Sequence, residues 1–134
     1  MSQDTNQRDF DLSDVLSITT GALVSTRHVD GVYDILGYMT GESLFTHQLP
    51  RAIVACAPAL LERHPALAGI TPPEWDEAGD MEAQVHTWVD LLRLTHGSTL
   101  PVTPLAEWHH IDPVQELVEM TEMPDRIVVV GAST

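Results

Sequence analysis

Signals that start and stop helices follow one another at short intervals, and this spacing most constrains how the chain can fold. Three aspartates precede apolar runs at helical spacing, where a carboxylate can accept hydrogen bonds from first-turn amides: Asp11, Asp80 and Asp112. Three glycines follow such runs: Gly21, Gly41 and Gly97. Glycine readily adopts the left-handed conformation in which many helices terminate. The sequence therefore predicts several short helices around one core.

Five helical segments are predicted from these signals and from apolar periodicity. They begin near Asp11, His28, Pro50, Asp80 and Asp112. The third ends at His64 and carries an interior proline, Pro58, which removes a backbone hydrogen bond and is expected to kink or split the helix.

Two of these helices have a clear predicted face. In the fourth helix the expected buried stripe consists of Met81, Val85, Trp88 and Leu92, widened by Leu91. In the fifth helix three apolar residues form the expected inner edge: Val114, Leu117 and Val118. Three glutamates of the same segment are expected to point outward: Glu116, Glu119 and Glu122.

The strongest strand signal is the aliphatic run Arg126–Val130. Residues 22–25 and 100–102 are both candidate partners for it. With 134 residues, the chain has the size of one domain. The predicted fold class is α+β: a mostly helical single domain over residues 11–134 with a small sheet that includes the C-terminal strand, after a flexible N-terminus at residues 1–10.

The charge is strongly one-sided, with 20 acidic residues against six arginines, no lysine and a net charge of −14. Nucleic-acid binding needs clustered cations, and these arginines are scattered, so a direct nucleic-acid partner is not expected. No apolar run has the roughly 20 residues of a membrane span, and the polar start lacks a signal-peptide pattern. A cytoplasmic location is therefore expected.

Carboxylates concentrate in two segments without compensating cations, residues 74–90 and 107–125. Such a face serves solubility in many proteins, but it can also dock on a basic surface, with carboxylates standing where phosphates would. The candidate partner-binding residues are Glu74, Asp76, Glu77, Asp80, Glu82, Glu116, Glu119 and Glu122. The expected partner is a protein with a basic surface, and the oligomeric state, including a homodimer, stays open.

Two further hypotheses use other residues. A small-ligand protein, for example a sponge for a nucleotide signal, would bind through Arg27, His28, His47 and Arg51. A metalloenzyme would use His109, His110 and Asp112, although Asp112 already suits a helix cap and the metal-ligand spacing is weak.

Motifs for catalysis are absent from the sequence. The chain has no Gly-x-Ser-x-Gly elbow, phosphate-binding glycine loop or paired cysteines, and its single cysteine, Cys56, lies in an apolar helical run. We therefore expect no catalytic residue, bound metal or cofactor, and a non-enzymatic protein.

Several stretches of residues 11–64 resemble a known group of proteins. They include residues 11–21, 28–36, 38–41 and 44–52, followed later by residues 110–113. The chain here resembles an uncharacterised family of small accessory proteins of phages, plasmids and other mobile elements. The resemblance implies no activity and no catalytic residue. It implies a context in which small acidic proteins inhibit host machinery, including CRISPR–Cas and other defence systems. In that context the expected partner is a host protein with a basic surface.

Overall fold

The computed structural model describes residues 7–121. Its elements in chain order are β1 (Arg8–Asp11), α1 (Leu12–Thr20), α2 (Val29–Thr40), α3 (Leu49–Arg63), α4 (Met81–His96), β2 (Thr99–Val102) and α5 (Pro113–Thr121). Short 3-10 turns precede and follow α3, at Thr46–Gln48 and Pro65–Leu67. The predicted strand Arg126–Val130 and the residue Glu122 lie outside the described residues. The α+β class with a helical majority is confirmed.

The sheet consists of β1 and β2, paired antiparallel with Arg8 opposite Val102 and Asp11 opposite Thr99. The sequence places residues 8–10 in a flexible N-terminus, whereas the structure places them in β1. Phe10 is buried against the core, which anchors the strand.

Helix α1 forms the centre of the core, since every residue from Leu12 to Ile18 is buried. Its ends agree with the sequence signals: Asp11 accepts a hydrogen bond from the Ser13 amide, and Gly21 ends the helix in the left-handed conformation. α1 packs against α2, α3 and α4. A helix enclosed on several sides in this way buries its polar residues together with its apolar ones.

Helix α3 runs unbroken from Leu49 to Arg63 through Pro58. Of the two predicted outcomes, a kink or a split, the split does not occur. Pro58 lies on the exposed side of the helix, while Ala52, Cys56 and Leu60 are buried in the core. We attribute the continuity to this buried stripe, because the lost hydrogen bond affects one side of one turn only.

Helix α4 begins after Asp80, as predicted, and the Asp80 side chain accepts a hydrogen bond from the Ala83 amide at 3.1 Å. The helix packs against α1. Its buried stripe is narrower than predicted. Val89 is fully buried and Val85, Trp88 and Leu92 pack against the core, but Met81 and Leu91 are exposed. No helix within residues 7–121 is long and apolar enough to cross a membrane.

Candidate functional site

The arginines are engaged mainly by carboxylates of the fold itself. Of the five within residues 7–121, four form ion pairs: Arg8 with Asp34, Arg27 with Asp14 and Asp34, Arg51 with Glu116, and Arg93 with Asp11 and Asp90. The fifth, Arg63, donates a hydrogen bond to Gln7. Because the cations are matched in this way, the remaining carboxylates carry the net negative charge.

A buried carboxylate on α1 organises one of these clusters. Asp14 is fully buried, accepts a hydrogen bond from the Ser25 hydroxyl at 2.6 Å, and pairs with the Arg27 guanidinium. The hydrogen bond to Asp14 raises the pKa of Arg27. Gly31 lies so close that a Cβ there would sit 2.2 Å from both the Asp14 and the Ser25 oxygens. The cluster is therefore tightly packed, and its cation is already paired.

A second cluster joins α3 to the segment that ends in α5. Arg51 donates to both carboxylate oxygens of Glu116 and to the His109 carbonyl, and its guanidinium lies 4.2 Å from the centre of the Trp108 ring. Gln48 also donates to Glu116, at 3.1 Å. The hydrogen bonds from Arg51 lower the pKa of Glu116 and outweigh the opposite effect of burial. The cluster fastens α5 to the core.

The buried face of α5 is the opposite of the one predicted from the sequence. The Glu116 side chain is only 8% exposed, whereas Val114 and Leu117 are 70% and 45% exposed. Glu116 therefore does not belong to an open acidic face, because Arg51 and Gln48 hold it inside. Glu119 is exposed and accepts a hydrogen bond from Gln115 at 3.3 Å.

Residues 74–82, here named the acidic turn, carry five carboxylates along the segment that leads into the first turn of α4. The Gln84 side chain fixes this turn by accepting from the Asp76 amide and donating to the Asp76 carbonyl, both at 2.8 Å. Asp80 caps α4 within the same turn. Five of the predicted docking residues lie in it, all exposed: Glu74, Asp76, Glu77, Asp80 and Glu82.

These five carboxylates differ from the paired ones in their surroundings. No arginine among the described residues forms an ion pair with any of them. Glu82 lies 3.5 Å from His28 and 3.9 Å from His86, and the other four have no charged partner within residues 7–121. Among the residues that the structure describes, the acidic turn is thus an exposed patch of negative charge that no arginine neutralises.

An aromatic groove adjoins the acidic turn. It has a volume of about 400 Å³ and is lined by Pro73, Glu74, Trp75, Ala83, Gln84, Thr87, Trp88 and Leu91. We name it the Trp groove. Its two indole rings meet edge to face, with centroids 5.9 Å apart, and Leu91 beside them is 60% exposed. Reasoning from the sequence missed it, although the spacing of Trp88 and Leu91 on one helix face was an available signal.

The ordered clusters around Asp14 and Arg51 both include residues from the first half of the chain, and a family model matches that part. Residues 10–70 match the model of a domain of unknown function, DUF7736. No similar curated protein and no similar solved structure was found. The DUF7736 match contains α1, α2 and α3 and stops before the acidic turn and the Trp groove. The matched part therefore supplies the core on which these two surfaces are placed.

The four residues of the alternative ligand site lie within the DUF7736 match but do not form one site. Arg27 pairs with Asp14, and His28 faces Glu82. His47 contacts the Pro113 carbonyl at 2.9 Å, and Arg51 is held by Glu116. A groove of about 580 Å³ beside Tyr33 and Tyr38 is lined by none of the four.

The residues of the metalloenzyme hypothesis lie after the DUF7736 match in the chain and have structural partners. His110 Nδ1 lies 2.7 Å from Glu42, the His109 carbonyl accepts from Arg51, and Asp112 accepts from the Val114 amide at the start of α5. Within residues 7–121, no three His, Cys, Asp or Glu side chains are arranged to hold a metal ion. Asp112 acts as a helix cap, as its position before Pro113 predicts.

Proposed function

We propose that this chain is a non-enzymatic interaction protein that binds a basic surface of another protein through the acidic turn. The observation that supports it is the unequal distribution of counter-charges. Arginines neutralise the carboxylates that join elements of the fold, whereas within residues 7–121 no arginine or histidine forms an ion pair with Glu74, Asp76, Glu77 or Asp80. Fixed, exposed carboxylates of one sign attract a basic partner and orient its approach.

The proposed surface is smaller than the one expected from the sequence. Glu116 is excluded because it is buried and paired, and Glu119 lies on α5 rather than in the acidic turn. The surface therefore centres on residues 74–82, and its exposed carboxylates should act mainly on the association rate. Salt should weaken the interaction, since exposed charges are screened over about 8 Å at physiological ionic strength.

A narrower form of the proposal concerns the identity of the partner. The resemblance of residues 11–64 to mobile-element proteins supports a host protein, such as a component of a CRISPR–Cas or other defence system. In such a partner the acidic turn would occupy a basic groove that otherwise holds nucleic-acid phosphates. The protein would then inhibit by occupying that groove, without chemistry of its own.

The test compares two doubly charge-reversed proteins of equal net charge in a pull-down from cell lysate. Glu74→Lys/Glu77→Lys changes the acidic turn at carboxylates whose side chains make no described hydrogen bond. Glu62→Lys/Glu107→Lys changes two exposed glutamates elsewhere. We expect one protein to be retained by the wild type and by the Glu62/Glu107 variant at low salt, and lost at high salt or in the Glu74/Glu77 variant. Equal retention by both variants would overturn the proposal.

A further inference from the structure

We infer that the Trp groove receives an arginine side chain of the partner, stacked on an indole ring and paired with Glu74. This inference rests on the proposed function and specifies the chemistry of its partner. The groove combines an aromatic wall, Trp75 and Trp88, with a carboxylate, Glu74, on one small surface. Both indole rings are partly exposed there.

Within residues 7–121, arginines at two places contact both an aromatic ring and a carboxylate. Arg51 lies 4.2 Å from the centre of the Trp108 ring while it pairs with Glu116. Arg8 lies 4.4 Å from the centre of the Phe10 ring while it pairs with Asp34. In both places a guanidinium is held between an aromatic ring and a carboxylate.

The Trp groove has the aromatic ring and the carboxylate, but no arginine within residues 7–121 pairs with Glu74. A partner's arginine would complete the same arrangement. Arginine fits better than lysine because its guanidinium is planar, stacks on an indole and is less strongly hydrated than an ammonium group. The neighbouring carboxylates of the acidic turn add attraction for any cation, arginine or lysine alike.

The groove is also held in shape before any partner binds. Gln84 lines it and ties the backbone of Asp76 to α4 through two hydrogen bonds of 2.8 Å. Trp75 and Trp88 pack against the core, which limits their rotamers. A preorganised surface loses less side-chain entropy on binding, so a single inserted residue can contribute measurably.

The experiment measures fluorescence anisotropy of two labelled nonapeptides, one alternating Gly with Arg and one alternating Gly with Lys, titrated with the full chain at low salt. The variants are Trp75→Leu, Glu74→Gln and the charge-reversed Glu74→Lys/Glu77→Lys. Glu107→Gln, which changes the net charge by the same amount as Glu74→Gln, is the control. We expect the Arg peptide to bind about tenfold more tightly than the Lys peptide, which corresponds to about 1.4 kcal/mol. Trp75→Leu should remove that preference, Glu74→Gln should reduce it, and Glu107→Gln should leave it unchanged.

The outcomes separate this inference from the proposed function. Equal affinities for the two peptides, insensitive to Trp75→Leu but lowered by Glu74→Lys/Glu77→Lys, would overturn the inference and leave the proposed function in place. An arginine preference that survives both Trp75→Leu and Glu74→Gln would also overturn it. Absence of binding to either peptide would overturn both. Circular dichroism checks that each variant is folded, and Glu74→Gln, an exposed change, tests the groove even where the Trp75 variant does not fold.

Discussion

Arg51 on α3 holds Glu116 on α5 through two hydrogen bonds, from Nε to Oε2 at 3.0 Å and from Nη2 to Oε1 at 3.2 Å. The Glu116 side chain is nearly inaccessible to water. Arg51→Met would leave this carboxylate buried without its cation. Removing one partner of a buried pair is strongly destabilising, so we expect a loss of about 3 kcal/mol in the free energy of unfolding, measured by urea denaturation.

The control for this change is Arg63→Met. Arg63 is exposed and donates one hydrogen bond to Gln7, without an ion pair among the described residues. We expect this variant to lose less than about 0.5 kcal/mol, as surface substitutions usually do. Equal losses in the two variants would contradict the structural role assigned to the Arg51–Glu116 pair.

The stability of the protein should depend on pH through the same glutamate. Hydrogen bonding to Arg51 lowers the pKa of Glu116, so the folded state binds fewer protons than the unfolded state in the acid range. This contribution is fully present above the unfolded pKa of about 4.3 and is lost as the pH falls through the lower folded value. Urea denaturation at several pH values should show that acidification lowers the free energy of unfolding less in Glu116→Gln than in the wild type. Identical pH profiles would show that the pair does not shift this pKa.

Close packing at Gly31 gives a prediction about α2. A methyl group there would meet the Asp14 and Ser25 oxygens at 2.2 Å, and Asp14 has no room to move because it is fully buried. Gly31→Ala should therefore destabilise the protein by about 1 to 3 kcal/mol, as overpacked cores do, despite the better helix propensity of alanine. Thermal unfolding measures the change.

Gly37→Ala is the matched control within the same helix. Its Cβ would lie 3.2 Å from the Glu42 carbonyl, which is tight but leaves the Asp14 cluster untouched. The gain in helix propensity, up to about 1 kcal/mol, should offset that contact. A Gly37→Ala variant as unstable as Gly31→Ala would contradict the special role of the Asp14 contact.

The sequence predicted the helices well because their signals are local. Asp11 and Gly21 at the ends of α1, and Asp80 before α4, satisfy backbone groups within a few residues of themselves. Each of these bounds follows from the nearest neighbours in the chain. Sequence patterns of this kind are sufficient to predict a helix and the residues at which it begins and ends.

The orientation of α5 could not be predicted, because it depends on a distant residue. Its periodicity places Val114 and Leu117 inside, but the pairing of Glu116 with Arg51, 65 positions away, turns the other face inward. β1 was missed for a similar reason, since its partner β2 lies some 90 positions further along the chain. The Trp groove likewise requires Trp75 to pack on Trp88, a contact that the helical spacing of Trp88 and Leu91 does not encode.

The single cysteine should be almost unreactive in the native protein. Cys56 is fully buried in α3, and burial raises the pKa of its thiol to about 12. Only the thiolate reacts with disulfide reagents, so at pH 8 the native thiol should be labelled slowly, at a rate limited by opening of the core. Labelling should become fast in denaturant. Rapid modification of the native protein would mean that α3 separates readily from α1, and the packing described for this helix would then be incorrect.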